Sequence, residues 1–486
     1  MRIDTREQNR EIGELLRAFV SRTVDFYEHI ENEAVCRPAA EDSLSRIEKQ
    51  AIPAGGRSVE EVFREMEQDV YSSTLLGQHP RSFSCVPSTM SLLSWMGDVM
   101  TSAYNPHASC RVNGPAADLV EKKLIRWMCE KAGYPEGSGG LFVSGGSIAN
   151  LTALTAARDA KLAWEDRGRA VVYLSGQTHA SVSKGLHMIG FCREQIRILP
   201  VDESFRMDMA ALQSSVRKDL ADGKIPFAVI ASAGTTNTGS VDPLRPIGGI
   251  CRKYDMWMHV DGAFGASALL SETYKKELDG IQLSDSLSWD AHKWMLQTYG
   301  CSAVLVRRRD DLVRSFAAHP EYLKDAETSE GGVEFWDLGP ELTRPARGLK
   351  LWLTLQTMGT EELGRVVEHG CELAELAAGI IRKEPEWELL SGPWLGIVNF
   401  RYRADGSLSE AELDAVNQEI SAEITDSGFA QIFTTELRGR KVLRMCTIHP
   451  ETTKEDIRRT IERLMETKAV SDRRQEQNKG AVALNN

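Results

Sequence analysis

The spacing of apolar and polar residues changes character twice along the chain. Over residues 1–80 the pattern is helical and mostly polar, with Ile12, Leu15, Leu16 and Phe19 on one face. Ser58 and Glu61 form a capping-box pattern ahead of Val59, Val62, Phe63 and Met66. Pro38 and the run Ala51-Ile52-Pro53-Ala54-Gly55-Gly56 read as linkers between these helices. So thin an apolar stripe does not make a core of its own, which predicts a segment that packs on a second subunit.

From residue 81 the period shortens. Apolar runs recur at 141–143, 170–174, 196–199, 227–230, 256–260 and 302–306, with helical spacing between most of them. Short apolar strands alternating with helices predict an α/β unit over 81–345, built on a mostly parallel central sheet covered on both faces. Ligands of such sheets sit beyond the carboxyl ends of the strands. Residues 318–340 are rich in charge and glycine without a period and read as a mobile loop. After Arg344-Pro345 a helix restarts and opens a small α+β domain over 346–470. There Val398, Phe400 and Tyr402 alternate with Asn399 and Arg401, the pattern of a half-exposed strand. Leu413, Val416, Ile420 and Ile424 form a helical stripe ended by Ser427-Gly428, and Thr452 with Glu455 reads as the cap of a last helix. The polar residues 471–486 read as a disordered tail.

Composition narrows the class. The 486 residues are 42% hydrophobic and 26% charged, as in an ordinary globular protein. A net charge of −12 argues against nucleic acid or an anionic membrane as the main partner. The opening Met1-Arg2-Ile3-Asp4-Thr5-Arg6-Glu7 has no apolar run, so neither a signal peptide nor a membrane anchor is expected. Nine cysteines without CxxC pairs suit reduced cytoplasmic thiols and give no metal site.

Five strand ends carry suggestive chemistry. Ser144-Gly145-Gly146-Ser147 joins a strand to a helix, where glycine permits close approach and the helix N-terminus offers free N–H groups to a phosphate. It matches neither a P-loop nor a dinucleotide fingerprint, and a strand–helix turn needs glycine in any case. His179 follows a second strand and could stack on a planar ring or be structural. Asp261, in His259-Val260-Asp261-Gly262-Ala263, could pair with a protonated ring nitrogen above the flat Ala263, or serve only as a helix cap. The turn 234–239 could add a hydroxyl donor. In Asp290-Ala291-His292-Lys293-Trp294 a lysine stands among aromatics with little positive charge nearby. A buried lysine tends toward the free amine that attacks carbonyls, though a strand-end lysine is often only structural. Together a phosphate cup, a stacking histidine, an aspartate and a Schiff-base lysine are the set that pyridoxal phosphate requires.

These motifs resemble the group II pyridoxal-phosphate decarboxylases, the family of aromatic-L-amino-acid, glutamate and histidine decarboxylases. The resemblance runs from His79-Pro80-Arg81 to about residue 465. It is strongest toward bacterial tryptophan decarboxylases, in residues 100–105 and 342–350. It implies the aspartate-aminotransferase-like fold (PLP fold type I) and a homodimer with shared active sites, the loop 318–340 closing over the neighbour's site. It makes Lys293 the Schiff-base lysine, Asp261 the partner of the pyridinium proton, His179 the stacking ring and Ala263 the packing on the other face. Gly146, Ser147 and His292 take the phosphate, with Thr236 nearby. The implied substrate pocket comprises Cys85, Val86, Pro87, His107 and Asn113, with Trp336 as an aromatic lid and Leu342 beside it. Asn113 is polar where the relatives are apolar and could meet an indole N–H or a phenol hydroxyl.

The implied activity is decarboxylation of aromatic L-amino acids, tryptophan first and phenylalanine or tyrosine also, to the arylalkylamine. One departure stands out. Many family members carry a loop tyrosine that returns the proton to Cα. No tyrosine lies between Lys324 and Pro340, and Phe335 falls near that place. Phenylalanine there accompanies oxidative deamination to an aldehyde in plant relatives, so an aromatic aldehyde synthase is the competing expectation. A non-catalytic interaction protein on the same scaffold is the third. His179, His107 and Tyr322 are the candidate proton donors in place of that tyrosine.

Overall fold

The computed structural model describes residues 6–84, 86, 89–318, 332–404, 406 and 408–467. The N-terminal part is helical as expected: α1 (Arg6–Glu28), α2 (Glu41–Lys49), α3 (Val59–Glu65) and α4 (Leu92–Tyr104). Ser58 Oγ accepts the Glu61 N–H at 3.4 Å and caps α3. Phe19 meets Phe63 and Trp95 edge-on, whereas Leu16 on the same helix stays exposed. Along α4, Leu92, Met96, Val99, Met100 and Tyr104 repeat at helical spacing, and all five are exposed.

The central unit alternates strand and helix: α5 (Pro115–Lys131), β1 (Gly139–Val143), α6 (Gly146–Lys161), β2 (Ala170–Ser175), α7 (Ala180–Met188), β3 (Ile196–Leu199), α8 (Met209–Ala221) and β4 (Ile225–Ser232). It continues through α9 (Leu244–Lys253), β5 (Trp257–Asp261), β6 (Ser286–Asp290), β7 (Ser302–Val306) and α10 (Asp310–Phe316). The seven strands make one sheet in the order β1-β7-β6-β5-β4-β2-β3. Five strands, from β3 to β6, pair in parallel, and β7 runs antiparallel to both β1 and β6. Passing through one reversed strand leaves β1 pointing the same way as β6. The carboxyl ends of β1, β2, β4, β5 and β6 therefore share one edge. Alternate side chains show why these strands read as unbroken apolar runs. Val171, Tyr173 and Val229 pack with Leu124, Leu212 and Ile247 on one face, while Val172, Leu174 and Ile230 pack with Leu154, Val182 and Leu186 on the other.

The C-terminal part begins with α11 (Leu349–Ile381), broken at Gly359 where φ is +80°. Strands β8 (Trp387–Trp394), β9 (Ile397–Tyr402), β10 (Phe433–Leu437) and β11 (Arg440–Cys446) form a second, antiparallel sheet in the order β10-β11-β9-β8. Helix α12 (Glu410–Asp426) and a helix over 454–467 supply Val416, Ile420, Ile457 and Ile461 to its core. Residues 81–83 join this sheet: Phe83 N–H donates to Gln431 O and Cys446 N–H donates to Phe83 O, both at 2.9 Å. Among the described residues no helix is long and apolar enough to cross a membrane.

Three expectations change here. First, β9 is not half-exposed. Asn399 and Arg401 are as buried as their apolar neighbours, because Arg401 pairs with Glu410 at 2.9 Å and Asn399 donates to Asn237 O at 3.1 Å. Second, the last helix is capped by Thr453 and Asp456, one residue later than Thr452 and Glu455. Asp456 N–H donates to Thr453 Oγ1 at 3.0 Å, and Thr452 instead donates to Pro80 O at 2.6 Å. Third, Trp336 is not a lid. Residues 319–331 of the expected loop lie outside the described residues, but 332–340 are packed, with Phe335, Trp336 and Asp337 buried in a short helical turn. Trp336 is 1% exposed and Phe335 lies under the Arg344 guanidinium, 4.9 Å from its ring. Arg344 is itself buried. It forks onto Glu121 at 2.6 and 3.1 Å and reaches Ala108 O and Phe142 O. That buried pair pins the segment to β1.

Buried His449 staples the small domain to the N-terminal part, and buried His79 braces the N-terminal part internally. His79 donates to Glu33 O and accepts from Arg81 N; His449 donates to Gln78 O and accepts from Glu451 N. Burial pushes both down to about 4, as it does His259 in the central sheet. An imidazole with a lowered folded pKa binds its proton more readily when unfolded, so stability is full above about 6.5 and is lost as pH falls toward 4. Each contributes a loss of up to about 1.4 kcal/mol per pH unit in that window. Asp242, pushed up to about 6 by burial, works the other way below pH 6 and offsets one of the three. The urea midpoint is therefore expected to fall steadily between pH 7 and pH 5; a flat profile would contradict neutral, buried histidines.

Candidate active site

The shared edge of the sheet opens into a cleft of about 260 Å³. At one end β1 gives way to α6, whose N-cap Gly145 carries no side chain to satisfy the first-turn N–H groups. A Cβ on Gly146 would fall 2.8 Å from Asp290 Oδ2 and 3.1 Å from Ala263 Cβ, so only glycine leaves this cradle its depth. His292 borders it, its Nδ1 bonded to Cys301 O at 3.2 Å and its Nε2 3.5 Å from Asp290 Oδ2. Burial, opposed by the Asp290 carboxylate, holds this imidazole below the usual histidine range. An unsatisfied helix N-terminus beside Ser147 and an imidazole is an anion site.

At the other end Asp261 closes β5. One carboxylate oxygen accepts from Asn150 Nδ2 at 3.0 Å, the other from Ser288 Oγ at 3.3 Å and Ala263 N at 3.2 Å. Three donors and no acceptor suit an ionised carboxylate. Ala263 is a small floor next to it. His179 caps α7 from the mouth of the cleft, its Nδ1 2.8 Å from Ser181 Oγ. Thr236 sits in a tight turn reached through Gly234 (φ +90°), where a Cβ would meet Phe264 at 2.9 Å. The small domain holds that turn: Arg444 donates to Thr236 O at 2.8 Å, and Asn399 to Asn237 O.

Lys293 stands between the two ends. Its surroundings differ from the expected apolar burial. The neighbouring Trp289 and Trp294 face the core, Trp294 stacked on Phe264 at 5.0 Å, while the lysine side chain is 24% exposed in the cleft. Its Nζ lies 3.2 Å from Asp290 Oδ2, a buried carboxylate that also accepts from Ser302. The amine is thus held by a counter-charge and remains open to the cleft.

Gly146, Ser147, His179, Thr236, Asp261, Ala263, His292 and Lys293 all line this one cleft. Val86, His107, Asn113, Trp336 and Leu342 do not. Val86 packs on the central core and Trp336 is buried behind Ser109, to whose carbonyl its backbone N–H donates at 3.3 Å. His107 and Asn113 lie 3.5 Å apart, His107 bridges to Pro345, and Leu342 is exposed. Cys85, Pro87 and Tyr322 lie outside the described residues. Asn150, Ser181, Asp290 and Tyr299 line the cleft as well, and sequence reasoning assigned none of them. Asn150 falls one helical turn after Gly146 and Asp290 three residues before Lys293, so spacing alone could have found both. Nothing local marks Arg444.

A family model, the pyridoxal-dependent decarboxylase conserved domain, matches residues 42–403. The chain belongs to the pyridoxal-dependent decarboxylases. Its cofactor is pyridoxal phosphate, and the cleft fits it: an uncapped helix end for the phosphate, a carboxylate surrounded by donors at the far end, and one amine between. This decarboxylase is 37% identical over 454 residues to the aromatic-L-amino-acid decarboxylase of Bacillus atrophaeus, covering 93% of this chain and 94% of that one. It is 30% identical over 461 residues to the phenylacetaldehyde synthase of Arabidopsis thaliana, covering 92% and 93%. Among solved structures, that of Oryza sativa TDC with PLP and tryptamine superposes with a TM-score of 0.89 at 26% identity, covering 95% of this chain and 98% of that one. The decarboxylase fold is thus the aspartate-aminotransferase-like α/β architecture expected, with its small antiparallel C-terminal sheet.

Proposed function

We propose that the protein is a cytoplasmic homodimer that decarboxylates aromatic L-amino acids to the arylalkylamine and CO₂, with tryptophan preferred over phenylalanine and tyrosine. The observation that carries this is the Lys293 amine, paired with Asp290 at 3.2 Å, in one cleft with Asp261 and His179, in a chain 37% identical to an aromatic-L-amino-acid decarboxylase. When bound, pyridoxal phosphate supplies a carbonyl for the substrate amine and an electron sink for the bond cleaved at Cα. Lys293 supplies the amine that holds it. Gly146, Ser147 and His292 bind the phosphate, and Asp261 holds the ring-nitrogen proton. Ala263 and His179 would cover the two faces of the ring, with Thr236 nearby.

Of the two proton-donor candidates among the described residues, His179 lines the cleft and His107 does not, and we assign His179 the proton returned to Cα. The pocket residues His107, Asn113 and Leu342 act from the partner subunit in this reading, which accounts for their lying outside this chain's own cleft. The exposed apolar stripe of α4, which ends at Asn105 just before His107, is the surface a second copy covers.

One assay tests the reading. The purified protein is incubated with tryptophan, phenylalanine, tyrosine and glutamate, and amine, aldehyde and peroxide are measured. Tryptamine as the leading product is expected. Turnover of glutamate alone would sink the aromatic assignment, and aldehyde with peroxide but no amine would establish the aldehyde synthase. Gly146→Ala is expected to weaken cofactor affinity about 5- to 150-fold, because an added methyl in a packed cradle costs roughly 1–3 kcal/mol; fluorescence titration of cofactor-free protein with pyridoxal phosphate reads it.

A further inference from the structure

A chain of hydrogen bonds runs behind the cleft, and its direction is set by the Asp261 carboxylate, which accepts only. The indole N–H of Trp257 can only donate, and it lies 2.8 Å from Ser286 Oγ. The Ser286 hydroxyl is then free to donate to His259 Nδ1 at 2.8 Å, leaving the ring proton on Nε2. That Nε2 lies 3.0 Å from Asn150 Oδ1, which accepts it. Both amide hydrogens of Asn150 are thereby directed outward, one to Asp261 Oδ2 at 3.0 Å and one to Ser181 Oγ at 3.1 Å. The Ser181 hydroxyl in turn donates to His179 Nδ1 at 2.8 Å, alongside the Ser181 backbone N–H at 3.3 Å. The remaining His179 proton sits on Nε2.

Asn150 is the only branch point. It is 1% exposed, its oxygen accepts from His259 and both amide hydrogens are donated. Turning the amide over would set its oxygen against the Asp261 carboxylate, two acceptors face to face. The amide orientation is therefore dictated by its neighbours. His259, neutral because burial holds it at about 4, has both nitrogens matched to this direction.

We propose that Asn150 is a positioning residue that sets two proton states at once: it keeps Asp261 ionised by donating to it, and it fixes His179 in the Nε2–H form through Ser181. This rests on the cofactor roles given above to Asp261 and His179. Asn150 touches the reacting atoms through neither its amide oxygen nor its nitrogen; it acts through the two residues that do.

Asn150→Asp keeps the size but replaces the donor facing Asp261 with a second carboxyl, so the two share a proton. Asn150→Ala removes the donor without adding charge. In both variants kcat is expected to fall, by about 100-fold in Asn150→Asp and less in Asn150→Ala, with KM changed under threefold. The pH titration of the bound cofactor's visible absorbance is expected to move by more than one unit in Asn150→Asp. In cofactor-free protein, ¹⁵N-histidine spectra, with His179→Gln for assignment, are expected to show His179 as the Nε2–H tautomer in the parent and a tautomer mixture in Asn150→Ala. If kcat falls while the absorbance titration and the His179 tautomer stay as in the parent, Asn150 is only structural and the proposal fails. An unchanged kcat in Asn150→Ala overturns it equally. Failure of the underlying reading looks different: the parent protein would then bind no pyridoxal phosphate, whatever the variants do.

Discussion

Lys293→Ala is expected to abolish the visible absorbance of the protein-bound cofactor and to lower kcat by about 10⁵-fold, toward the low end of what an amine held in place supplies over one free in solution. The argument is positional. The structure places one amine in the cleft between the cradle at Gly146 and the carboxylate of Asp261, and holds it there with Asp290 at 3.2 Å. Alanine leaves both ends of the cleft in place, so the phosphate and ring contacts survive while the covalent hold is lost. Pyridoxal phosphate should then wash out on dialysis in hours, where the parent retains it. Ethylamine or another small amine added to the variant should restore part of the activity, because the cavity left by the side chain is open to solvent. The variant also leaves the buried Asp290 with only Ser302 and His292 against it. A lower melting temperature in the cofactor-free state is the structural counterpart. Retained absorbance and turnover in Lys293→Ala would remove the basis for every role assigned around it.

How much of this could be read from the chain depends on how local each cause is. The central strands were legible because a strand covered on both faces is apolar at nearly every position, as Val171 to Leu174 and Ala228 to Ala231 are. The direction of β7 was not, since alternation carries no sense of direction. The cleft residues Gly146, Ser147, Asp261 and Lys293 were legible because each ends its strand or follows it within four residues, and parallel strands bring such positions to one edge. Contacts made across the fold left no such trace. Arg401 looked solvent-facing by its alternation, yet it is buried because Glu410 and Asp414 come from the next helix to meet it. Trp336 stands in a charged, glycine-rich stretch that reads as mobile, and only the Arg344–Glu121 pair, joining residues 223 apart in the chain, shows why it is packed. Arg444 holds the Thr236 turn from 208 residues away. The lysine itself was found for a partly mistaken reason: its aromatic neighbours face the core, and a carboxylate provides its surroundings.

Asp261 should show the second-largest effect, and its substitutions separate charge from shape. Its two oxygens accept three hydrogen bonds, from Asn150, Ser288 and the Ala263 backbone. That arrangement stabilises the ionised form, which is the form able to keep a ring-nitrogen proton in place. Asp261→Asn preserves the outline but turns one oxygen into a donor facing donors, and removes the charge. Asp261→Ala removes the group and leaves Asn150 and Ser288 unmatched. Both are expected to lower kcat by about 10²–10⁴-fold, the range of a lost proton-transfer group. Asp261→Glu keeps the charge at the expense of one extra methylene and should retain at least about tenfold more activity than Asp261→Asn. Cofactor affinity should fall far less than kcat in all three, since the phosphate cradle and Lys293 are untouched. Steady-state kinetics with tryptophan, beside cofactor titration of each variant, read the order directly. If Asp261→Asn matched Asp261→Glu, the charge would be irrelevant and Asp261 would be a helix cap and nothing more, the alternative its place after β5 leaves open.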